Sequence, residues 1–284
     1  MQHPNIDLID PREYDFTINL LREFFREKHG FIEVPVQHRL SILAACEDPR
    51  TIGTFNYTGE LWPLPQTGQM WLEYELLTKP DSPGYYCIST SYRNEPNPVA
   101  GRHNLIFPMF EFETKGGLAN LLELERSLLK FIGFDPENLG FATVRYELIA
   151  RMYNVKELTA EHENRLYKED YTGPAFFLTH FPVHTSPFWN MKKVGNIANK
   201  VDVILHGIET IGSAERSTDL QEMRESFHTI SDGMYADILY AQFGKERVEQ
   251  ELESFLAHEF FPRCGGGIGI TRMIRALKLS GILK

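Results

Sequence analysis

Apolar and polar positions divide the chain into stretches of two different periods. From Pro11 to about His29, Tyr14, Phe16, Ile18, Leu21, Phe24 and Phe25 supply the apolar positions of a helix that Gly30 stops. Its start is marked by Asp10-Pro-Arg-Glu13, with an acidic N-cap, proline at the first helical position and glutamate three residues after the cap. The same period predicts helices over Leu118–Phe131, Asp219–Phe227, Lys245–Phe260 and Arg272–Leu279. Elsewhere the period is two. From Phe107 to Glu113 the odd positions Phe107, Met109, Glu111 and Glu113 share one face, and Pro108, Phe110 and Phe112 share the other. Val201–Ile211 reads as a hairpin turning at His206-Gly207, Ala175–Thr179 as a buried strand and Phe31–Val36 as a short strand ending near Pro35. The polar segment 135–172, rich in Glu and Tyr, reads as a helical insertion. These elements predict an α+β fold, a mainly antiparallel sheet flanked by helices, formed as one domain over 1–284.

Composition narrows the class. A hydrophobic share of 42% in 284 residues suffices for a large core, and no long apolar run suggests a membrane span, so a cytoplasmic protein is expected. Cys46, Cys87 and Cys264 are scattered and odd in number, which fits neither a disulfide framework nor a zinc cluster. His162-Glu163 does not complete a zinc-protease motif. A formal net charge of −10 gives no broad attraction for a polyanion such as RNA.

Three constellations carry candidate chemistry. Arg93 and Glu95 are two apart, so on a strand they point the same way; the arginine suits a phosphate or carboxylate and the glutamate can accept from an amine. Cys264-Gly-Gly-Gly-Ile-Gly269-Ile-Thr-Arg272 has too few following residues for a dinucleotide fold and lacks the Gly-Lys-Ser/Thr of a phosphate loop. It reads instead as a strand of small residues that lets a ligand or another backbone approach. In the hairpin, Leu205 is expected opposite Ile208 and Ile204 opposite Glu209, with Asp202 on the face of Glu209 one diagonal step away. Two carboxylates so placed repel unless a cation lies between them, and their oxygens suit Mg²⁺ on nucleotide phosphates; two acids on a solvent face are the plainer alternative.

Together, Tyr92-Arg-Asn-Glu95, Arg102-His103, Phe107–Glu113 and Cys264–Arg272 resemble motifs two and three of class II aminoacyl-tRNA synthetases of the aspartate, asparagine and lysine subclass. The resemblance implies that Arg93 grips the α-phosphate and the substrate carboxylate, and that Glu95 and Phe107 hold adenine. It places Arg102 and His103 on the outer phosphates, and Gly269 and Arg272 on ATP. Asp202-x₄-Gly-x-Glu209 is similar to the stretch that binds the catalytic magnesium, and Gly212–Arg216 to the element whose arginine reads the substrate side chain. Gln66-Thr-Gly68-Gln69 is similar to the segment that holds the substrate α-amine. Three positions depart from the pattern: Gly68 stands for a proline, Leu72 for the lysine that pairs with aspartate, and Ile106 for a glutamate. Glu73 and Glu215 add negative charge that favours an amine-bearing substrate. The helix, Gly-Phe and strand of residues 10–36 resemble motif one, which implies a homodimer, and the family-like core leaves no room before it for an anticodon-binding domain.

The expected activity is therefore an AMP-forming ligase using ATP and Mg²⁺. It activates an amino-acid carboxylate as an adenylate and passes it to ammonia or a small amine, as asparagine-synthetase-like relatives of this core do. A tRNA ligase, with tRNA ranked below the small acceptors, a protein-lysine aminoacylating enzyme and a non-catalytic regulatory binder are the alternatives.

Overall fold

In a computed structural model, the structure describes residues 6, 8–35, 39–45, 48–98, 104–135, 137, 140–170 and 173–284. Helix α1 (Pro11–Arg22) begins as expected: Asp10 Oδ1 accepts from Arg12 N at 2.7 Å and Glu13 N at 3.3 Å. Glu13 does not complete the reciprocal cap, because its carboxylate pairs with Lys278 near the C-terminus. The helix widens into π-type turns over Glu23–Lys28 and ends at Gly30, whose φ of +70° no β-carbon-bearing residue adopts cheaply. Strand β1 (Ile32–Glu33) follows, then the hairpin β2 (Thr54–Tyr57) and β3 (Glu60–Pro63), helix α2 (Gln69–Thr78), β4 (Gly84–Tyr92) and β5 (Ile106–Lys115). Next come α3 (Leu118–Ile132), β6 (Ala142–Arg145), α4 (Tyr146–Met152), α5 (Ala160–Arg165), β7 (Ala175–Pro182), β8 (Lys193–Val194), β9 (Ile197–Leu205) and β10 (Ile208–Glu215). The chain closes with α6 (Leu220–Thr229), α7 (Met234–Phe243), α8 (Lys245–Leu256), β11 (Arg263–Gly269) and α9 (Ile270–Leu279).

The large sheet runs β1-β4-β5-β11-β10-β9-β7-β6, with β8 on β9. Its interior is antiparallel, and among the described residues only the edge pairs β1/β4 and β6/β7 are parallel. The fold is thus the mainly antiparallel α+β sheet expected. One face is covered by α1, α3 and α9. Phe110 and Phe112 point into that layer with ring centroids 5.0 and 4.9 Å from Phe25, and Leu121, Leu128, Met273 and Leu277 complete the same buried cluster. On the opposite face, α2 and the α6–α8 bundle pack around Trp189 and Phe227. Farther along, α4 packs on β7 around Tyr146, Phe176 and Phe181. The sheet between those two clusters is left open as the floor of a cavity.

Several expectations need correction. Segment 135–172 is not wholly helical: β6 joins the main sheet beside β7, because Val144 and its neighbours extend the sheet before α4 begins. Helix α7 was not expected; its apolar residues are spread around the helix, and Asp237 and Gln242 alone do not mark out a polar face. The helix expected over Lys245–Phe260 stops at Leu256, and α9 starts at Ile270, ahead of Arg272. Among the described residues no helix is long and apolar enough to cross a membrane.

Candidate active site

The cavity holds about 650 Å³. Its floor is made of strand positions that carry little or no side chain. Gly212, Gly266, Gly267 and Gly269 line it together with Met109, Glu111, Asp202 and Glu209. The glycines of β11 serve the backbone before any ligand. A β-carbon at Gly265 would lie 2.1 Å from Glu113 Oε2 and 2.2 Å from Phe112 O, so only glycine lets β11 lie against β5 there.

At one end Arg93, Glu95, Phe107, Gly269 and Arg272 all face the cavity. Arg93 and Glu95 do not lie on a strand. β4 ends at Tyr92; Arg93 N still donates to Leu105 O (2.7 Å), the next rung of the β4/β5 register, and the chain leaves β5 at Asn94, whose N donates to Thr51 O (2.8 Å). Arg93 Nε donates to Ser91 Oγ at 3.2 Å. Arg272, in the first turn of α9, donates to Glu209 O at 2.8 Å and lies 3.9 Å from the Glu209 carboxylate. Arg102 and His103 lie outside the described residues, as do Val36 and Cys46. Ile106 opens β5 opposite Tyr92 and is partly exposed.

The hairpin pairs Leu205 with Ile208 and Ile204 with Glu209, as expected. A bulge at Thr210 then shifts the register, so that Gly212 sits opposite Asp202. A β-carbon on Gly212 would come 2.9 Å from Glu209 Oε1 and 3.9 Å from Asp202 Oδ1, so the two carboxylates flank the bare glycine. Asp202 Oδ1 is buried without a hydrogen-bond partner. Burial pushes the Asp202 carboxyl up to about 8; Lys200 opposes this and Glu209 adds to it. An orphaned, desolvated carboxylate beside a second acid is a place a hard divalent cation fits. Among the described residues no group of three or more metal-type ligands occurs, so a magnesium ion here would draw its other oxygens from phosphate and water.

The other end of the cavity is a buried charge network. Arg216 is 4% exposed and donates to Glu113 (3.3 and 3.2 Å) and to Gly265 O (3.3 Å). Arg263 is fully buried and forks onto Glu73 Oε2 at 2.9 and 2.7 Å. Asn190 Nδ2 donates to Glu73 Oε1 at 2.6 Å, while its own Oδ1 is buried with no partner. Burial lifts Glu113 to about 7, against the pull of Arg216 and with the help of Glu73. Gln69 lines the cavity and spends its amide on Phe112 O and Glu113 Oε2, both at 2.8 Å.

Other expected residues are placed elsewhere. Gln66 is outside the cavity wall; its amide donates to Asp48 O (3.1 Å) and Thr51 Oγ1 (2.8 Å) and fastens the loop before α2. Leu72 is fully buried in a core with Trp71, Leu76 and Tyr85. Neither Glu73 nor Glu215 offers loose negative charge: Glu73 is matched by Arg263, and Glu215 by Lys192 (2.7 Å), Asn199 (2.8 Å) and Leu118 N (3.0 Å). Gly68 has a physical reason. Its amide donates to Glu111 Oε2 at 2.7 Å, a bond that proline cannot make. Asn190, Arg263, Lys200, Glu157 and Glu163 enter the site or its walls without a local signal. Only Arg263 was within reach, since two buried acids demand a second cation.

A family model described as tRNA synthetases class II (D, K and N) matches residues 15–281. Over 125 residues the chain is 28% identical to the aspartate–tRNA(Asp) ligase of Pyrobaculum aerophilum, which covers 43% of this chain and 25% of that protein. The asparaginyl-tRNA synthetase of Pyrococcus horikoshii, solved with asparaginyl-adenylate, superposes with a TM-score of 0.73 at 20% identity, over 95% of this chain and 65% of that one. The Entamoeba histolytica asparaginyl-tRNA synthetase, also with asparaginyl-adenylate, gives 0.70 at 17% identity, over 94% and 63%. At these identities the structures speak for the fold, and the chain spans less than two thirds of their length. With the family model matching nearly end to end, the chain belongs to the class II tRNA synthetases of the aspartate, lysine and asparagine group.

Proposed function

We propose that this chain activates an amino-acid carboxylate with ATP, forming an aminoacyl adenylate and pyrophosphate. The observation that carries the reading is the convergence of Arg93, Arg272 and the Asp202/Glu209 pair on one cavity, beside a separate polar end built on Arg216. A carboxylate oxygen attacks the α-phosphorus, and the bond to the pyrophosphate oxygen breaks. Arg93 holds the α-phosphate and the incoming carboxylate, and Arg272 holds the outer phosphates. Phe107 and Glu95 receive the base. Magnesium on Asp202 and Glu209 would neutralise phosphate charge. Such a reaction needs alignment and charge stabilisation more than a base.

At the polar end, Arg216 presents a donor and Asn190 Oδ1 an unmet acceptor. These suit a short side chain of the aspartate or asparagine kind. The acceptor nitrogen then attacks the acyl carbon and AMP leaves. Glu157, Glu163 and Glu95 line the same cavity, which favours ammonia or a small amine over a polyanion. The tRNA-ligase reading keeps the support of the relatives, whose names are those of tRNA ligases. Exposed Phe16 and Ile32, on α1 and β1, suit burial in a homodimer. The test is to form the adenylate with labelled amino acid and offer ammonia, a panel of small amines and bulk tRNA. Release of a free amide supports the first acceptor reading, and ribonuclease-sensitive charging of tRNA replaces it with the second.

A further inference from the structure

Lys200 stands two residues before Asp202 on β9, so both side chains leave the same face of the strand. Its ammonium donates to Asp202 Oδ2 at 3.0 Å. It also sits over the Phe181 ring, 4.2 Å from the centroid, a second contact that restrains it. The lysine side chain is 25% exposed and that of Asp202 only 7%, so the pair sits largely out of water. The two carboxylate oxygens thereby have different surroundings. Oδ2 is held by the lysine, and Oδ1 is buried without a partner on the side of Gly212 and Glu209.

We propose that Lys200 is a positioning residue for the metal: by holding Asp202 Oδ2 it aims Oδ1 at the space shared with Glu209, where the cation binds. The proposal rests on the adenylation reading above only for the identity of the site. A carboxylate fixed through its second oxygen is a stronger ligand than one free to turn, and loss of such an outer partner costs tenfold to a hundredfold in metal affinity in general. Nothing in the sequence pattern marks Lys200, because the two-residue spacing places it on the site face only once the strand and its bulge are known.

The experiment reads Mn²⁺ binding by electron paramagnetic resonance, with neither nucleotide nor amino acid present, so that it stands apart from catalysis. Wild-type protein, Lys200→Met, Lys200→Arg and Asp202→Asn are compared after their far-UV spectra are matched. We expect Lys200→Met to weaken Mn²⁺ by about tenfold or more. Lys200→Arg, which can still reach the carboxylate, should recover part of that loss, and Asp202→Asn should remove the site. Mn²⁺ bound as tightly by Lys200→Met as by wild type, or more tightly, would overturn the proposal, the second result by making the lysine a competitor of the metal. Mn²⁺ binding unaffected by Asp202→Asn would overturn it too. If the Mn²⁺ pattern holds and no amino acid supports pyrophosphate exchange, the adenylation reading alone fails.

Discussion

The two ends of the cavity solve the problem of holding charge in different ways. At the end proposed for the nucleotide, Arg93 and Arg272 sit at the ends of elements, just past β4 and in the first turn of α9, with the Arg272 side chain still 36% exposed. Both line the open cavity. At the amino-acid end, Arg216 and Arg263 are almost wholly buried and spend most of their donors on Glu113, Glu73 and backbone oxygens. There the charge is part of the fold, and a ligand meets what is left over. The difference teaches that arginines lining one cavity divide into those left facing it and those spent on the fold that shapes it; in the proposed function the first kind acts on the substrate. Substitutions should separate the two.

The largest effect is expected from Arg263→Ala, which takes from buried Glu73 its hydrogen-bonded cation and leaves Glu73 and Glu113 to share Arg216, 3.7 Å from Glu73 Oε1. Breaking a buried pair from one side costs about 3–5 kcal/mol in general, so denaturant titration should show a loss of that order or failure to fold. A loss below about 1 kcal/mol, the level of a surface pair, would mean that water reaches this end. Next come Arg93→Ala and Arg272→Ala. Each should lower pyrophosphate exchange by about a hundredfold or more, the cost of removing one charge-stabilising donor, while thermal unfolding stays near wild type. Unchanged exchange in both would remove the nucleotide from this end.

A smaller effect is expected from Glu125, on α3 beneath the sheet. It is fully buried, neither oxygen has a partner in good hydrogen-bond geometry, and burial pushes its pKa up to about 8 against a weak pull from the nearby Ser213 hydroxyl. A carboxyl whose folded pKa is raised favours folding in its protonated form. That contribution is complete below the ordinary carboxylate pKa near 4.5 and is lost as pH rises through about 8. Glu113, lifted to about 7, acts in the same direction. Stability should therefore fall between pH 5 and 8 on the order of 1–3 kcal/mol, and Glu125→Gln should flatten that fall. Denaturation curves at several pH values check this, and an equal fall in the variant would assign it elsewhere. The smallest effect is expected for Glu209→Gln, which keeps shape but removes a charged oxygen. Half-maximal exchange should need roughly tenfold more Mg²⁺. A wild-type requirement would make Glu209 a partner of Arg272 only.

The same contrast explains what could be read from the sequence. The nucleotide end is spelled in local runs: Arg93-x-Glu95, the alternation of Phe107–Glu113, the glycines before Arg272. The hairpin pairing of Ile204 with Glu209 followed from a two-residue turn. The amino-acid end depends on meetings between residues far apart in the chain, such as Glu73 with Arg263 and with Asn190. No window of sequence contains those pairs, so Glu73 looked like loose negative charge and Gln66 like a ligand contact. Lys200 and the bulge at Thr210 show the limit in a third way. Period two assigns a face, but one inserted residue decides which partner lies across from Asp202.

The central claim is that the nucleotide end performs amino-acid activation. Amino-acid-dependent exchange of labelled pyrophosphate into ATP tests it most directly, run over the twenty amino acids with Mg²⁺, with and without tRNA. The account predicts exchange with aspartate or asparagine and its loss in Arg272→Ala. No exchange with any amino acid under either condition, from protein shown to be folded, would contradict it.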